Sequence, residues 1–227
     1  MSLWADFLTN DQRSIHKWAH YFPAYERHLE RFRNRSVAML EIGVGSGGSS
    51  QMWRRFLGPF AQIVGIDCRP ACKEYESDQI AIRIGDQEDP EFLSRLLAEF
   101  GPFDIVLDDG GHHMSQIAAT FNHLYPTVPV DGIYLVEDLH TAYLPAFGGG
   151  FGSPDSFVEK AKALIDELYA GQRGAPPVTD FGRSTLSMHF YDSLLVFEKG
   201  RHLGKRAFQT GANTAHSNVS AYTSRSL

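Results

Sequence analysis

The turn from Glu41 to Gly48 constrains the fold more than any other segment, because it places four glycines directly after a short apolar run at residues 37–42. Glycine lets the backbone turn sharply and lets a ligand approach it closely. A second apolar run, residues 63–67, follows the turn and ends in the acidic residue Asp67. A strand, a glycine turn, a helix and a strand that ends in an acid together predict a nucleotide-binding α/β unit.

Strand and helix patterns alternate along the rest of the chain. The predicted strands are residues 37–42, 63–67, 80–84, 103–109 and 133–138, and residues 186–191 and 194–198 form a predicted hairpin. The predicted helices are residues 11–33, 49–56, 90–100, 115–125 and 153–170. This alternation predicts a mostly parallel sheet with helices on both faces, to which the hairpin adds an antiparallel strand. Such sheets bind ligands beyond the carboxyl ends of their strands.

Composition and charge narrow the class of protein. The chain has 227 residues, which suits one α/β domain, and its formal net charge of -6 argues against a protein that follows a phosphate backbone. No run approaches the ~20 apolar residues of a membrane span, and the N-terminus lacks the apolar core of a signal peptide. The two cysteines, Cys68 and Cys72, fit reduced thiols better than a zinc or redox motif. We therefore expect a cytoplasmic protein with no nucleic-acid or membrane partner.

The same patterns divide the chain into three parts. We expect an N-terminal helical lid segment at residues 1–35, an α/β domain at residues 36–208 and a polar tail at residues 209–227. The tail is rich in serine and threonine, a composition typical of chain termini without regular structure.

Two classes of nucleotide compete for the glycine turn. The spacing Gly43-x-Gly45-x-x-Gly48 fits a dinucleotide enzyme. However, the acid before the first glycine resembles the first motif of class I S-adenosylmethionine-dependent methyltransferases. That resemblance implies that Glu41 helps to hold the methionine end of the cofactor, that Asp67 binds the ribose, and that Asp86 meets the adenine. The full set of predicted cofactor contacts is Glu41, Gly43, Gly45, Gly47, Ser49, Asp67, Asp86, Asp108 and Tyr21.

Acidic pairs close two further strands, Asp108-Asp109 after the fourth and Glu137-Asp138 after the fifth. In the usual strand order these ends are neighbours, and carboxylates held together repel one another unless a cation or a proton lies between them. Oxygen ligands favour a hard cation such as Mg²⁺. We predict Asp109, Glu137 and Asp138 as metal ligands; the alternative is that these acids are solvated caps of strand ends.

A histidine follows the first acidic pair within a short turn. Transfer of a methyl group from a sulfonium to a hydroxyl requires that the hydroxyl lose its proton, and a histidine can take up that proton at neutral pH. His112 lies three residues after Asp109 and is the predicted catalytic base, with His113 as its competitor.

Together these motifs resemble the metal-dependent sugar O-methyltransferases of macrolide biosynthesis, of the macrocin and mycinamicin type, and their cephalosporin-hydroxylase-like relatives. The similarity is carried by Asp109-x-x-His112, by residues 136–143, by the N-terminal residues 16–26 and by residues 190–199. It implies a Rossmann-like class I methyltransferase sandwich with a seven-stranded sheet. It also implies Mg²⁺ on the three predicted ligands and an N-terminal segment that closes over the cofactor. Where many relatives carry Thr-Asp-Lys, this chain has Thr-Asn-Asp-Gln-Arg at residues 9–13.

The leading hypothesis is Mg²⁺-dependent methylation of a sugar hydroxyl, on an antibiotic glycoside or on an oligosaccharide such as a mannose-containing chain, by a homodimer. A catechol-like phenol is a near alternative, but such enzymes typically use a lysine base, and neither acidic motif contains a lysine. The acids and histidines could instead hold Fe(II) in a hydroxylase. A non-catalytic cofactor-binding partner and an NAD-dependent reductase are further alternatives.

Overall fold

A seven-stranded sheet forms the centre of the structure, a computed structural model that describes residues 2–171, 174, 176–201, 210 and 211. Its strands are β1 (Ala38–Ile42), β2 (Gln62–Asp67), β3 (Ile80–Ile84), β4 (Ile105–Asp108), β5 (Ile133–Val136), β6 (Thr185–Tyr191) and β7 (Leu194–Lys199). Their order is β3-β2-β1-β4-β5-β7-β6. The first five strands run parallel, whereas β7 is antiparallel to both β5 and β6. The predicted fold class is confirmed.

Helices cover both faces of this sheet. They are α1 (Leu3–Leu8), α2 (Phe22–Leu29), α3 (Gly48–Leu57), α4 (Pro90–Phe100), α5 (Met114–Leu124), α6 (Phe157–Leu168) and α7 (Asp180–Ser184), with a 3-10 helix at Leu139–Tyr143 after β5. Successive residues of a strand point to opposite faces. Met39 of β1 therefore joins the core under α1, α2 and α3, whereas Leu40 joins the core under α4, α5 and α6.

The N-terminal segment departs from the predicted helix at residues 11–33. The structure has no helix at residues 10–18; a 3-10 turn at Ala19–Tyr21 leads into α2, which ends at Leu29. Proline suits the first turn of a helix, where its missing N–H has no partner to lose, so Pro23 starts α2 rather than interrupting a longer helix. The division at residue 35 stays a prediction.

The starts of α4 and α6 can be compared with the predicted helix ranges. The helix α4 begins at residue 90 as predicted, and the Asp89 side chain caps it by accepting a hydrogen bond from the backbone N–H of Glu91 at 2.9 Å. By contrast, α6 begins after Ser156, whose hydroxyl accepts from the backbone N–H of Glu159 at 3.2 Å, and not at the predicted Ser153.

Two further expectations concern the surroundings of the domain. Within the described ranges, every helix is too short or too polar to cross a bilayer. The predicted polar tail at residues 209–227 lies outside the described residues except for residues 210 and 211.

The first glycine of the turn allows β1 and the loop after β4 to meet. Gly43 has a φ of 91°, and a Cβ built on it would lie 2.0 Å from the carbonyl oxygen of Asp109. Only a residue without a side chain permits this contact. The turn is therefore packed against the acidic end of β4, so a ligand bound by the turn lies beside the acids.

Replacing Gly43 with alanine is expected to reduce the free energy of unfolding by at least about 1 kcal/mol more than replacing Gly45. Both glycines have positive φ, which costs an alanine about 1–2 kcal/mol. However, a Cβ on Gly45 meets no described atom within 4 Å, so Gly45→Ala is the matched control. Urea unfolding followed by circular dichroism measures the difference, and equal losses would contradict the close approach at Gly43.

Candidate functional site

A cavity of about 450 Å³ opens at the carboxyl ends of the parallel strands. The glycine turn, the ends of β4 and β5, and residues 14–18 of the N-terminal segment line this cavity. The predicted site residues on its surface are Gly43, Gly45, Ser49, Asp67, Asp86, Asp109, His112, Glu137 and Asp138. The volume lies in the range of small-molecule sites, ~300–1,000 Å³.

Asp67 ends β2 at the rim of this cavity and is held by the turn. The backbone N–H of Gly45 donates to its Oδ2 at 3.1 Å, and the Nε of Arg69 donates to its Oδ1 at 3.1 Å. Burial acts to raise the pKa of Asp67, but these hydrogen bonds outweigh it and hold the pKa below its ordinary value. The Arg69 side chain is 59% exposed, so it can move aside and free the carboxylate for a ligand.

Four predicted cofactor contacts do not reach the cavity surface: Glu41, Gly47, Asp108 and Tyr21. Glu41 is fully buried behind the turn, where its carboxylate accepts hydrogen bonds from Ser50 and, at 2.9 Å, from the Nε1 of Trp53. Burial raises its pKa. In this structure Glu41 therefore fastens α3 to β1 instead of facing a ligand.

Asp108 is likewise a buried acid behind the wall. It accepts hydrogen bonds from the Nε2 of Gln87 at 3.2 Å and from the hydroxyl of Tyr134 at 3.3 Å. Burial raises the pKa of Asp108 to about 7. The same Gln87 accepts from the backbone N–H of Gly111 through its Oε1 at 3.0 Å, so this pair fixes the loop after β4.

The far end of the cavity offers polar atoms from Asp86 and Gln116. Asp86 Oδ1 accepts a hydrogen bond from the backbone N–H of Glu88 at 2.9 Å, which leaves its second oxygen available. The Oε1 of Gln116 is buried and makes no hydrogen bond with the described part of the chain. A buried acceptor without a partner is costly unless a ligand supplies the donor. This end of the cavity therefore suits a ligand with an amino group.

The acids at the ends of β4 and β5 meet a lysine from the N-terminal segment. Lys17 Nζ lies 2.5 Å from Asp109 Oδ2 and 2.8 Å from Glu137 Oε2, and its side chain is only 2% exposed. Burial acts to lower the pKa of Lys17, but the two carboxylates outweigh it and hold the pKa above its ordinary value. Burial and the charge of Asp109 raise the pKa of Glu137 to about 8, which Lys17 opposes. The buried acid thus depends on a nearby cation.

Two tyrosines hold the same acids from behind. The Tyr25 hydroxyl donates to Glu137 Oε1 at 2.5 Å, and the Tyr21 hydroxyl donates to Asp138 Oδ1 at 2.7 Å. Tyr21 and Tyr25 are one helical turn apart at the start of α2, so one helix end positions both carboxylates.

His112 faces the acids, whereas His113 does not. His112 Nε2 lies 3.8 Å from Asp109 Oδ1 and 3.5 Å from Asp138 Oδ2. Both His112 (φ 57°) and Asp138 (φ 55°) adopt the left-handed conformation, a strained geometry that concentrates at functional sites. His113 is exposed, and its ring lies against Phe147 with the centroids 5.2 Å apart. Of the two candidate bases, only His112 points toward the acids.

Of the three predicted metal ligands, Asp109 and Asp138 belong to the cluster of metal-type side chains in this conformation, and Glu137 does not. Asp109, His112 and Asp138 offer donor atoms within 4.8 Å of one another. Lys17 occupies one oxygen of Asp109 and Tyr21 one oxygen of Asp138, so the other oxygens, Asp109 Oδ1 and Asp138 Oδ2, remain to face His112.

This donor set fits a hard divalent cation. Mg²⁺ is usually held by one or two carboxylates and retains several waters, which Asp109 and Asp138 can satisfy. Both oxygens of Glu137 are hydrogen-bonded, to Tyr25 and to Lys17, but a carboxylate oxygen accepts more than one bond. Glu137 can therefore take part in holding the cation only from behind Asp109 and Asp138, or after Lys17 moves away from its Oε2.

Lys17 is the functional residue that sequence reasoning missed. Neither acidic motif contains a lysine, yet one reaches the acids from 92 residues away. The available signal was a lone lysine between His16 and Trp18, in a segment otherwise rich in aromatic residues and histidine. Nothing in the local pattern says where its side chain points, because tertiary packing decides that.

Comparison with known proteins identifies O-methyltransferases as relatives of the chain. No family model matches the chain. It is 38% identical over 201 residues to the mycinamicin VI 2''-O-methyltransferase of Micromonospora griseorubida, a match that covers 81% of this chain and 49% of the relative. It is 37% identical over 198 residues to the 8-demethyl-8-(2-methoxy-alpha-L-rhamnosyl)-tetracenomycin-C 3'-O-methyltransferase of Streptomyces olivaceus, covering 82% and 50%. The chain spans about half the length of these curated relatives.

A solved structure of the same kind matches the fold. The MycE methyltransferase from the mycinamycin biosynthetic pathway, in complex with Mg, SAH and mycinamycin VI, superimposes with a TM-score of 0.75 and 35% sequence identity. The match covers 88% of this chain and 53% of that chain.

Replacing Lys17 with methionine is expected to reduce the free energy of unfolding by about 3–5 kcal/mol in the presence of EDTA, because it leaves buried carboxylates without their cation. The control is Lys162→Met, which breaks an exposed pair with Glu159 and should change the free energy of unfolding little, because water screens that pair. Guanidinium unfolding of both variants measures the difference. A Lys17→Met variant as stable as the control would show that the ion pair does not hold the strand ends together.

Proposed function

Since the chain belongs to the class I S-adenosylmethionine-dependent O-methyltransferases of the macrocin and mycinamicin type, we propose that it transfers a methyl group from S-adenosylmethionine to a sugar hydroxyl in a Mg²⁺-dependent reaction. The observation that carries this proposal is the position of His112. Its Nε2 faces one free oxygen each of Asp109 and Asp138, at the mouth of a cavity whose other wall is the glycine turn.

The cofactor is held along the turn. Gly43 and Gly45 would let the cofactor approach the backbone of the turn, and Asp67 would accept hydrogen bonds from the ribose hydroxyls once Arg69 moves aside. Asp86 and the unpartnered oxygen of Gln116 are the acceptors for the adenine amino group. Glu41 acts indirectly, since it holds α3 and hence the shape of the turn.

Asp109 and Asp138 would hold Mg²⁺, with Glu137 behind them. When bound, S-adenosylmethionine supplies an electrophilic methyl group, and Mg²⁺ orients the acceptor hydroxyl and makes its proton easier to remove. Lys17 keeps part of the charge of Asp109 and Glu137 neutralised, so the three carboxylates can stay close together.

His112 takes the proton of the acceptor hydroxyl at its Nε2. The carboxylates of Asp109 and Asp138 stabilise the imidazolium that forms, because opposite charges lie within 4 Å of it. The hydroxyl of Thr141 donates to the carbonyl oxygen of Asp138 at 2.7 Å and lies 3.2 Å from the carbonyl oxygen of His112, so it lies between the loops after β4 and β5.

The geometry disfavours the two nearest alternatives. A lysine does reach the acids, as in a phenol methyltransferase, but Lys17 lies between two carboxylates that favour its protonated form, so it is a poor base. A hydroxylase triad needs two histidines and one carboxylate, whereas this cluster has His112 with Asp109 and Asp138.

The acceptor is a glycoside bound at the exposed side of the cavity. Trp18 is 51% exposed beside the cavity, and Tyr143 and Phe151 present stacked rings 6.5 Å apart in the loop after β5. Exposed aromatic faces suit the apolar face of a sugar or its aglycone. The predicted homodimer stays a prediction, and sedimentation velocity of the full chain is its measurement.

With a labelled methyl donor and a panel of deoxysugar and rhamnosyl glycosides, the purified chain is expected to methylate at least one acceptor when Mg²⁺ is present. EDTA should reduce transfer to the level without acceptor, and added Mg²⁺ should restore it. Full transfer in EDTA would contradict the metal role, whereas cofactor binding without transfer to any glycoside would contradict the acceptor class.

Replacing His112 with alanine is expected to reduce turnover by at least about 100-fold, since a general base contributes about 10²–10⁴-fold. The shift in melting temperature caused by S-adenosylhomocysteine should persist in this variant. His113→Ala is the matched control, because its ring packs on Phe147 instead of facing the acids. A larger loss of turnover in the control would move the base to His113.

A further inference from the structure

A second cluster of metal-type side chains lies where α2 meets the C-terminal hairpin. His28 of α2, His189 of β6 and Glu198 of β7 place their donor atoms within 4.8 Å of one another. His28 Nδ1 lies 3.1 Å from Glu198 Oε1, and His189 Nε2 lies 3.5 Å from Glu198 Oε2. None of the three residues contacts the acids of the candidate active site in the described part of the chain.

The spacing of this cluster suits a small cation. A tetrahedral Zn²⁺ with bonds of about 2.0–2.2 Å places its ligand atoms about 3.3 Å apart. The two nitrogen-to-oxygen distances lie on either side of that value but end on different oxygens of Glu198, so the carboxylate would turn slightly to bring one oxygen to the metal. Two imidazoles and one carboxylate form a donor set that Zn²⁺ uses in proteins, with a fourth position for water.

The residues around the cluster already support this arrangement. A histidine that binds a metal through one nitrogen usually donates its other N–H to an oxygen. His28 Nε2 lies 2.9 Å from the hydroxyl of Tyr191, so Nδ1 can face the metal while Nε2 is occupied. The hydroxyl of Ser187 donates to Glu198 Oε2 at 2.9 Å and lies 2.9 Å from His189 Nε2, so it holds these two side chains side by side and must release His189 Nε2 when that nitrogen binds the metal.

The burial of His28 favours a bound cation, whereas one nearby charge opposes it. The His28 side chain is only 2% exposed, so its imidazole is held in place between α2 and the hairpin. One charge opposes binding: Arg31 Nη1 lies 3.7 Å from Glu198 Oε1. Its side chain is 40% exposed and can turn into solvent.

We infer that His28, His189 and Glu198 form a three-ligand Zn²⁺ site that fastens α2 to the C-terminal hairpin. The site would act on the same helix whose start, through Tyr21 and Tyr25, positions Asp138 and Glu137. It is separate from the proposed function, because it needs neither cofactor nor acceptor.

Isothermal titration of the full chain with Zn²⁺ tests this inference in an Asp109→Asn/Asp138→Asn background, which removes the other metal-type cluster. We expect one equivalent of Zn²⁺ to bind and to raise the melting temperature. His189→Ala and Glu198→Gln should each weaken binding by more than about 100-fold, since loss of a residue that only orients a ligand costs about 10–100-fold. Cobalt(II) should give the intense visible bands of a tetrahedral site only while His189 is present.

Two matched variants complete the test. Arg31→Ala should tighten Zn²⁺ binding, because it removes the competing cation. His123→Ala should leave binding unchanged, because His123 lies elsewhere, beside Ser94. The inference fails if the background protein binds no Zn²⁺, or if His189→Ala and Glu198→Gln bind it as tightly as the background does.

Discussion

Three carboxylates meet where β4 and β5 end, and the rest of the site depends on how their mutual repulsion is offset. The repulsion is strong because Glu137 is fully buried, where charges are poorly screened. Lys17 supplies positive charge from the N-terminal segment, and Tyr25 donates a hydrogen bond from behind. The N-terminal segment is therefore part of the electrostatics of the site as well as one wall of its cavity.

One face of α2 connects this site to the C-terminal hairpin at one edge of the sheet. Tyr21, Tyr25 and His28 follow one another at helical spacing, so they line the same face. The tyrosines reach the acids, and His28 reaches Glu198 of the C-terminal hairpin. Because α2 is held at both ends, a displacement of the hairpin would move the helix and, through its two tyrosines, the carboxylates of Glu137 and Asp138.

The sequence predicted the seven strands and the meeting of Asp109 with Glu137, because short apolar runs and parallel strand ends follow local rules. It could not separate the acids that face the cavity from those behind it. Asp108 and Asp109 are neighbours, but alternate residues of a strand point to opposite sides, and the register decides which is buried. The sequence likewise could not predict that Lys17 contacts Asp109 and Glu137, since this contact follows from packing between distant segments.

The charges of the site indicate how a lysine and a metal ion can share it. When ionised, Asp109, Glu137 and Asp138 carry three negative charges, of which Lys17 offsets one. The two that remain match a divalent cation, and the oxygens not used by Lys17 or Tyr21 are those that face His112. Lys17 thus complements Mg²⁺ and need not leave for it to bind.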